Sequence, residues 1–175
     1  WAQLPLHLCF ALMVVFLFNP MAEKCKNQDS PKKNLWWIYD AVILACVAFI
    51  AYHFLTQANA LNMRIYNVDK MTTQDMVVAI MLLFVMMEAV RRVVSTALFV
   101  VLAFFMAYSW FGQYIPGLFR LAGMTFPQFL ETLLYSQNGI FGSPLSASLN
   151  TLFYFMIFGA FFANCGGGEV LINMG

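Results

Sequence analysis

Long apolar runs separated by short polar stretches dominate this chain. The first extends from about Leu4 to Asn19 and stops at Pro20; the second covers Trp36 to Thr56. A third runs from Met76 to Val90 and a fourth from Val93 to Phe111. The fifth runs from Pro144 to Ala163, with Ser143 as the expected N-cap and proline at the first helical position. Backbone polar groups cannot go unpaired in hydrocarbon, so apolar runs of about 17–25 residues predict helices that cross a bilayer. The first run is short for that task and is expected to begin upstream of Trp1. It has neither the basic leader nor the small-residue cleavage site of a signal peptide.

Asp75 to Phe111 reads at first as one long helix. Glu88, Arg91 and Arg92 lie in its middle, and two arginines at mid-bilayer cost several kcal/mol. A tight turn at a membrane surface removes that cost, so two helices are predicted there. Leu118 to Gln137 is too polar to cross. Thr125 and Gln128 have capping-box spacing. Phe126, Phe129, Leu130, Leu133 and Leu134 share one helical face, while Gln128, Glu131 and Thr132 fall elsewhere. The fold class expected is therefore all-α: a polytopic transmembrane helical bundle of about five spanning helices plus one interfacial amphipathic helix.

Composition supports lipid as the solvent. The chain is 62% hydrophobic and 10% charged, where a soluble domain is about half apolar and about a quarter charged. A net charge of +1 lacks the basic footprint of a nucleic-acid binder. The basic residues set the orientation. Lys24, Lys26, Lys32, Lys33, Arg91 and Arg92 fall on one side, and Arg64, Lys70 and Arg120 on the other. The richer side is taken as cytoplasmic. Trp36, Trp37 and Tyr39 then mark the inner interface, and Tyr108, Trp110 and Tyr114 the outer one. Cys9, Cys25, Cys46 and Cys165 are scattered and form no disulfide or zinc pattern. The chain opens on Trp1 and closes at Gly175 just after another apolar segment begins, so both ends are expected to be cut.

Few residues carry candidate chemistry. Glu88 stands three and four positions before Arg91 and Arg92, a favourable intrahelical pairing, and this charge cluster is expected to fix the turn. Asp40 lies one turn into the second span and is expected to meet a lysine of the preceding loop or water; a place in an ion relay is the sharper alternative. His7 and His53 are lone histidines near helix ends. Ser143, Ser146, Ala147, Asn150 and Tyr154 share one face of the fifth span and are expected to serve helix packing or to line a substrate path. Gly166-Gly167-Gly168 is not followed by the residues of a phosphate loop and is expected to be a helix terminus. No nucleophile–base pair, paired carboxylates or metal-ligand cluster is apparent, so neither enzymatic activity nor a metal site is expected.

Four segments in order resemble one family. Met87-Glu88-Ala89-Val90-Arg91-Arg92-Val93-Val94 resembles the E-A-x-R-R-V-V element of fused permeases of tripartite ATP-independent periplasmic (TRAP) transporters, of the TAXI type. Tyr108 to Gly117 is similar to Y-x-x-F-G-x-Y-x-P-G, and Gly139 to Leu145 to G-I-F-G-x-P-L. Phe158 to Phe162, with Gly166 to Glu169, resembles F-G-A-F-L…G-x-G-E; His7-Leu8 also fits. Ala163-Asn164-Cys165 departs from the family, which commonly has a charged pair and a serine there.

The resemblance implies a multi-pass permease of the bacterial inner membrane. Residues 1–93 would be a Q-like scaffold region and residues 94–175 the start of an M-like large region, with a boundary near Gly117 as the alternative. A periplasmic substrate-binding protein would deliver organic anions or amino acids, and an ion gradient, usually sodium, would drive uptake. Partners implied are the bilayer, that binding protein and the remainder of the same chain. Substrate and sodium ligands would lie downstream of Gly175, and no other cofactor is implied. A non-catalytic accessory subunit of a larger membrane complex is the alternative reading.

Overall fold

Asn19 and Pro20 end the first helix, α1 (Gln3–Phe18): both the backbone and the side-chain nitrogen of Asn19 donate to the Val15 carbonyl, and proline cannot continue the turn. The computed structural model describes residues 3–21, 33–63, 69, 71–136 and 139–167, and every regular element among them is a helix. The loop lysines 24, 26 and 32, Cys25, Arg64, Lys70 and the chain from 168 onward lie outside the described residues.

The second helix, α2 (Lys33–Thr56), ends where the Thr56 hydroxyl turns back onto the carbonyls of Tyr52 and His53. A short helix, α3 (Ala58–Met63), follows. Then come α4 (Thr73–Val93) and α5 (Thr96–Phe111), so the region from Asp75 to Phe111 does divide in two. The break falls at Val94-Ser95, a few residues later than expected. Ser95 is the N-cap of α5, its hydroxyl accepting from the Leu98 N–H at 3.2 Å. Glu88, Arg91 and Arg92 consequently lie within the last turns of α4 rather than in the turn itself. Cations there also face the negative end of the helix dipole.

A 3-10 turn (Gly112–Tyr114) leads into an irregular segment in which Gly117 takes a φ of 92°, a conformation that only glycine adopts without strain. The next helix, α6 (Phe126–Leu134), starts with the expected capping box: the Gln128 side-chain oxygen accepts from the Thr125 N–H and hydroxyl, each at 2.9 Å. Its apolar face packs on α4, and Trp110 of α5 stacks edge-on against Phe126 and Phe129. Glu131 corrects the sequence reading. It is buried, because α6 settles deeply enough against the bundle to cover the flank that the helical wheel leaves polar.

After α6 the chain reverses tightly. Ile140 and Phe141 donate their N–H groups to the terminal carbonyls of Leu133 and Leu134. A Cβ on Gly139 would sit 2.6 Å from the Leu133 carbonyl oxygen, so no larger residue fits this approach. The last spanning element is built from α7 (Ser143–Ala147), a π-helical stretch (Ser148–Leu152) and α8 (Phe153–Asn164). Its N-cap is Gly142 rather than Ser143, which becomes the first helical residue, with Pro144 next. Proline remains inside the first turn, where its missing N–H leaves no bond unmade.

Among the described residues, three helices are long and apolar enough to cross a membrane: Trp36–Thr56, Thr96–Tyr114 and Ser143–Asn164. Of the other two expected spans, α1 is a shorter apolar helix of 16 residues, and α4 carries Asp75, Glu88, Arg91 and Arg92 along its 21 residues. The core joins α1, α2 and α4. Leu8, Leu12 and Phe16 of the first meet Ile43, Val47, Ile50 and Phe54 of the second and Val78, Leu82, Val85 and Ala89 of the third. Intervals of three and four place each set on one stripe of its helix. By contrast, α5 and α8 bury no residue at all.

Candidate functional site

α2 buries one acid near its start, Asp40, and one histidine near its end, His53. The thirteen helical steps between them rise roughly 20 Å, and that slab is filled by the apolar stripe. Each polar residue finds its counterpart on α4, which runs antiparallel to it.

At the Asp40 end the counterpart is Arg92. Its Nη1 donates to Asp40 Oδ1 at 2.6 Å, and its Nε donates to Glu88 Oε1 at 2.8 Å. The Arg92 side chain is 1% exposed, so this is a charge set wholly inside protein. Arg91 grips the same Glu88 with two nitrogens, Nε at 2.8 Å and Nη2 at 2.7 Å. The other Asp40 oxygen accepts the backbone N–H of Met21, just beyond α1. Aromatic faces complete the enclosure, with the guanidinium carbon of Arg92 4.9 Å from the Phe16 ring centre and 5.4 Å from that of Tyr39. One arginine thus draws together α1, α2 and α4.

Such a knot suits a setting in which helices gain little from apolar contact with one another, because lipid tails are as apolar as leucine. Buried charge pairs add little net stability when whole. Removing one partner, however, costs about 3–5 kcal/mol by stranding the other. The knot therefore acts as a lock on geometry.

At the far end His53 Nε2 lies 3.5 Å from Asp75 Oδ1, with both side chains about nine-tenths buried. Phe54 stacks edge-on against Phe141 beside them, which ties the segment after α6 to the same end of α2. No group of three or more His, Cys, Asp and Glu that would hold a metal ion occurs among the described residues.

The remaining candidates gather where α1 meets the last spanning element. The Asn150 amide donates to Ser146 Oγ at 3.1 Å, and His7 Nε2 lies 3.3 Å from Ser148 Oγ. His7 also stacks edge-on against Phe153. A notch of about 470 Å³ opens there, bordered by Gln3, His7, Asn150 and Tyr154. Ser143 is exposed one turn earlier. Asp40 was thus expected beside a loop lysine or water, and it lies instead on an arginine 52 residues away. Helical spacing finds the Glu88–Arg91–Arg92 part of the knot, since those bonds lie within one helix. Nothing in the spacing indicates that Asp40 faces Arg92 or that His53 faces Asp75.

Together the fold and the site define an all-helical bundle with membrane-spanning dimensions, pinned by buried charge. No protein-family model, curated protein or solved structure matches the chain.

Proposed function

We propose that this chain is the scaffold part of an ion-coupled permease in the inner membrane, of the TRAP type, taking up organic anions or amino acids delivered by a periplasmic binding protein. The observation that carries the reading is the Asp40–Arg92–Glu88 knot. Glu88, Arg91 and Arg92 belong to the E-A-x-R-R-V-V element of the resemblance. Their use as a three-helix lock is what a stationary frame requires if a second body is to move against it. The bare flanks of α5 and α8 offer that body a surface. The Gly117 turn and the Gly139 approach give backbone reasons for glycines in two more of the resembling segments. On this reading the Asp40 end is cytoplasmic and the His53 end periplasmic, and sodium and substrate bind in the moving body.

Uptake into proteoliposomes tests the proposal. The full reading frame around this chain, reconstituted with a periplasmic binding protein from the same source, is expected to accumulate labelled organic anion or amino acid. Accumulation should require both that protein and an inward sodium gradient. A chain that takes up nothing under any gradient, and that purifies only inside a larger complex, is an accessory subunit instead.

A further inference from the structure

A groove follows the outside of the α4–α5 hairpin. Ile80, Phe84 and Met87 of α4 form one wall, Phe99 and Met106 of α5 the other, and the space is about 450 Å³. α6 bounds it with Phe126, Phe129 and Leu130, and Arg91 stands at the opposite end. The eleven steps from Ile80 to Arg91 rise about 16 Å along the helix. The groove is thus long and almost wholly apolar, and its mouth is formed by the Arg91–Glu88 ion pair.

Arg91 is not used up by the knot. Glu88 takes Nε and Nη2, whereas Nη1 makes no hydrogen bond among the described residues, and the side chain is 34% exposed. A guanidinium has five N–H donors in a planar fork that matches phosphate oxygens, so the nitrogen left over is a ready donor to an anion. The aromatic and methionine walls can adjust to a flexible chain.

We propose that this groove is a binding site for an anionic phospholipid, with one acyl chain along α4 and α5 and the phosphate on Nη1 of Arg91. Charge complementarity fixes the polarity: the end holding Arg91 and Arg92 is also where α2 begins at Lys33, the side on which six of the nine basic residues fall by sequence. That is the depth at which a headgroup of the cytoplasmic leaflet lies. The proposal needs the chain to lie in a bilayer but does not depend on transport. Because Glu88 and Asp40 balance the two arginines, the groove itself holds the lipid, and Arg91 selects the headgroup. The preference for an anionic over a zwitterionic lipid should therefore be modest, about fivefold, the equivalent of about 1 kcal/mol per basic residue near the surface.

The test uses the full-length protein in nanodiscs carrying photoactivatable phosphatidylglycerol or photoactivatable phosphatidylcholine, each with a diazirine in the acyl chain. Mass spectrometry then maps the adducts. Adducts at Phe84, Met87 and Phe99, about fivefold more abundant with phosphatidylglycerol, are expected. Arg91→Gln should erase the headgroup preference while the acyl adducts stay in place. Met87→Trp, which fills the groove and leaves the knot intact, should remove the adducts of both lipids. Absence of groove adducts in the wild type overturns the proposal and gives the groove to protein. An undiminished preference in Arg91→Gln, with both variants eluting as the wild type on gel filtration, overturns the headgroup assignment.

Discussion

Arg92 and Asp40 lie 52 residues apart in the chain and 2.6 Å apart in space, and each is almost fully buried. The bond joins the last turn of α4 to the second turn of α2, and Asp40 carries it on to the Met21 N–H.

Removing Arg92 strands Asp40 inside the bundle and leaves Glu88 to Arg91 alone. Arg92→Ala is expected to destabilise the protein by about 3–5 kcal/mol. The double variant with Asp40→Ala should lose less than the sum of the two single changes. Arg120 is exposed, and Arg120→Ala should stay within about 0.5 kcal/mol of wild type. Denaturant unfolding in detergent micelles, followed by helicity, checks all four. Equal losses at Arg92 and Arg120 would refute the lock.

Topology follows from the basic bias. Cysteines at Ser30 and Asn67, in a background without other cysteines, should report opposite faces to a membrane-impermeant thiol reagent: 67 labelled in intact cells, 30 only after lysis. The reverse pattern inverts the orientation.

The α4–α5 break depends on one cap. Ser95→Ala should cost about 1 kcal/mol, and Ser95→Asp, which caps equally well, should restore it. Thermal melts of the two variants would separate a cap from a solvent contact.

Contact between α1 and the last span is narrow: α1 meets α7, and His7 reaches Ser148 and Phe153. Cysteines replacing His7 and Ser148 should crosslink with a short bifunctional reagent, whereas the pair at Phe10 and Phe161 should not. Crosslinking of both pairs would show α8 lying along α1.

If the periplasmic end docks a binding protein, photo-crosslinkers at Gln113 and Gln128 in the full permease should capture it, more strongly with substrate bound. Intact uptake without capture would confine those segments to structure.

The sequence made elements legible more readily than their meetings. Pro20 and the Thr125–Gln128 box are local devices that mark helix ends directly, whereas the Ser95 cap went unread and the break it makes falls a few residues later than expected. The split of Asp75 to Phe111 followed from the cost of placing arginines in hydrocarbon. Packing was harder to read, because α1, α5 and α8 are apolar on every side and no face announces itself as buried. Asp40 and His53 were visible as anomalies in α2, but an anomaly does not name its partner. Glu131 misled because a helical wheel records which side is polar and says nothing of how far the helix sinks. The π-helical stretch at Ser148–Leu152 has no residue signature that the spacing of Ser146 and Asn150 would have exposed.

The knot contains two carboxylates and two guanidinium groups, so its formal charges cancel. A membrane potential does about 2.3 kcal/mol of work per 100 mV on each unit charge that crosses it, and on a cancelled set it does none. While it stays closed, the bolt that holds these helices therefore presents no net charge for the potential to move. Any voltage dependence must come from charges that move elsewhere.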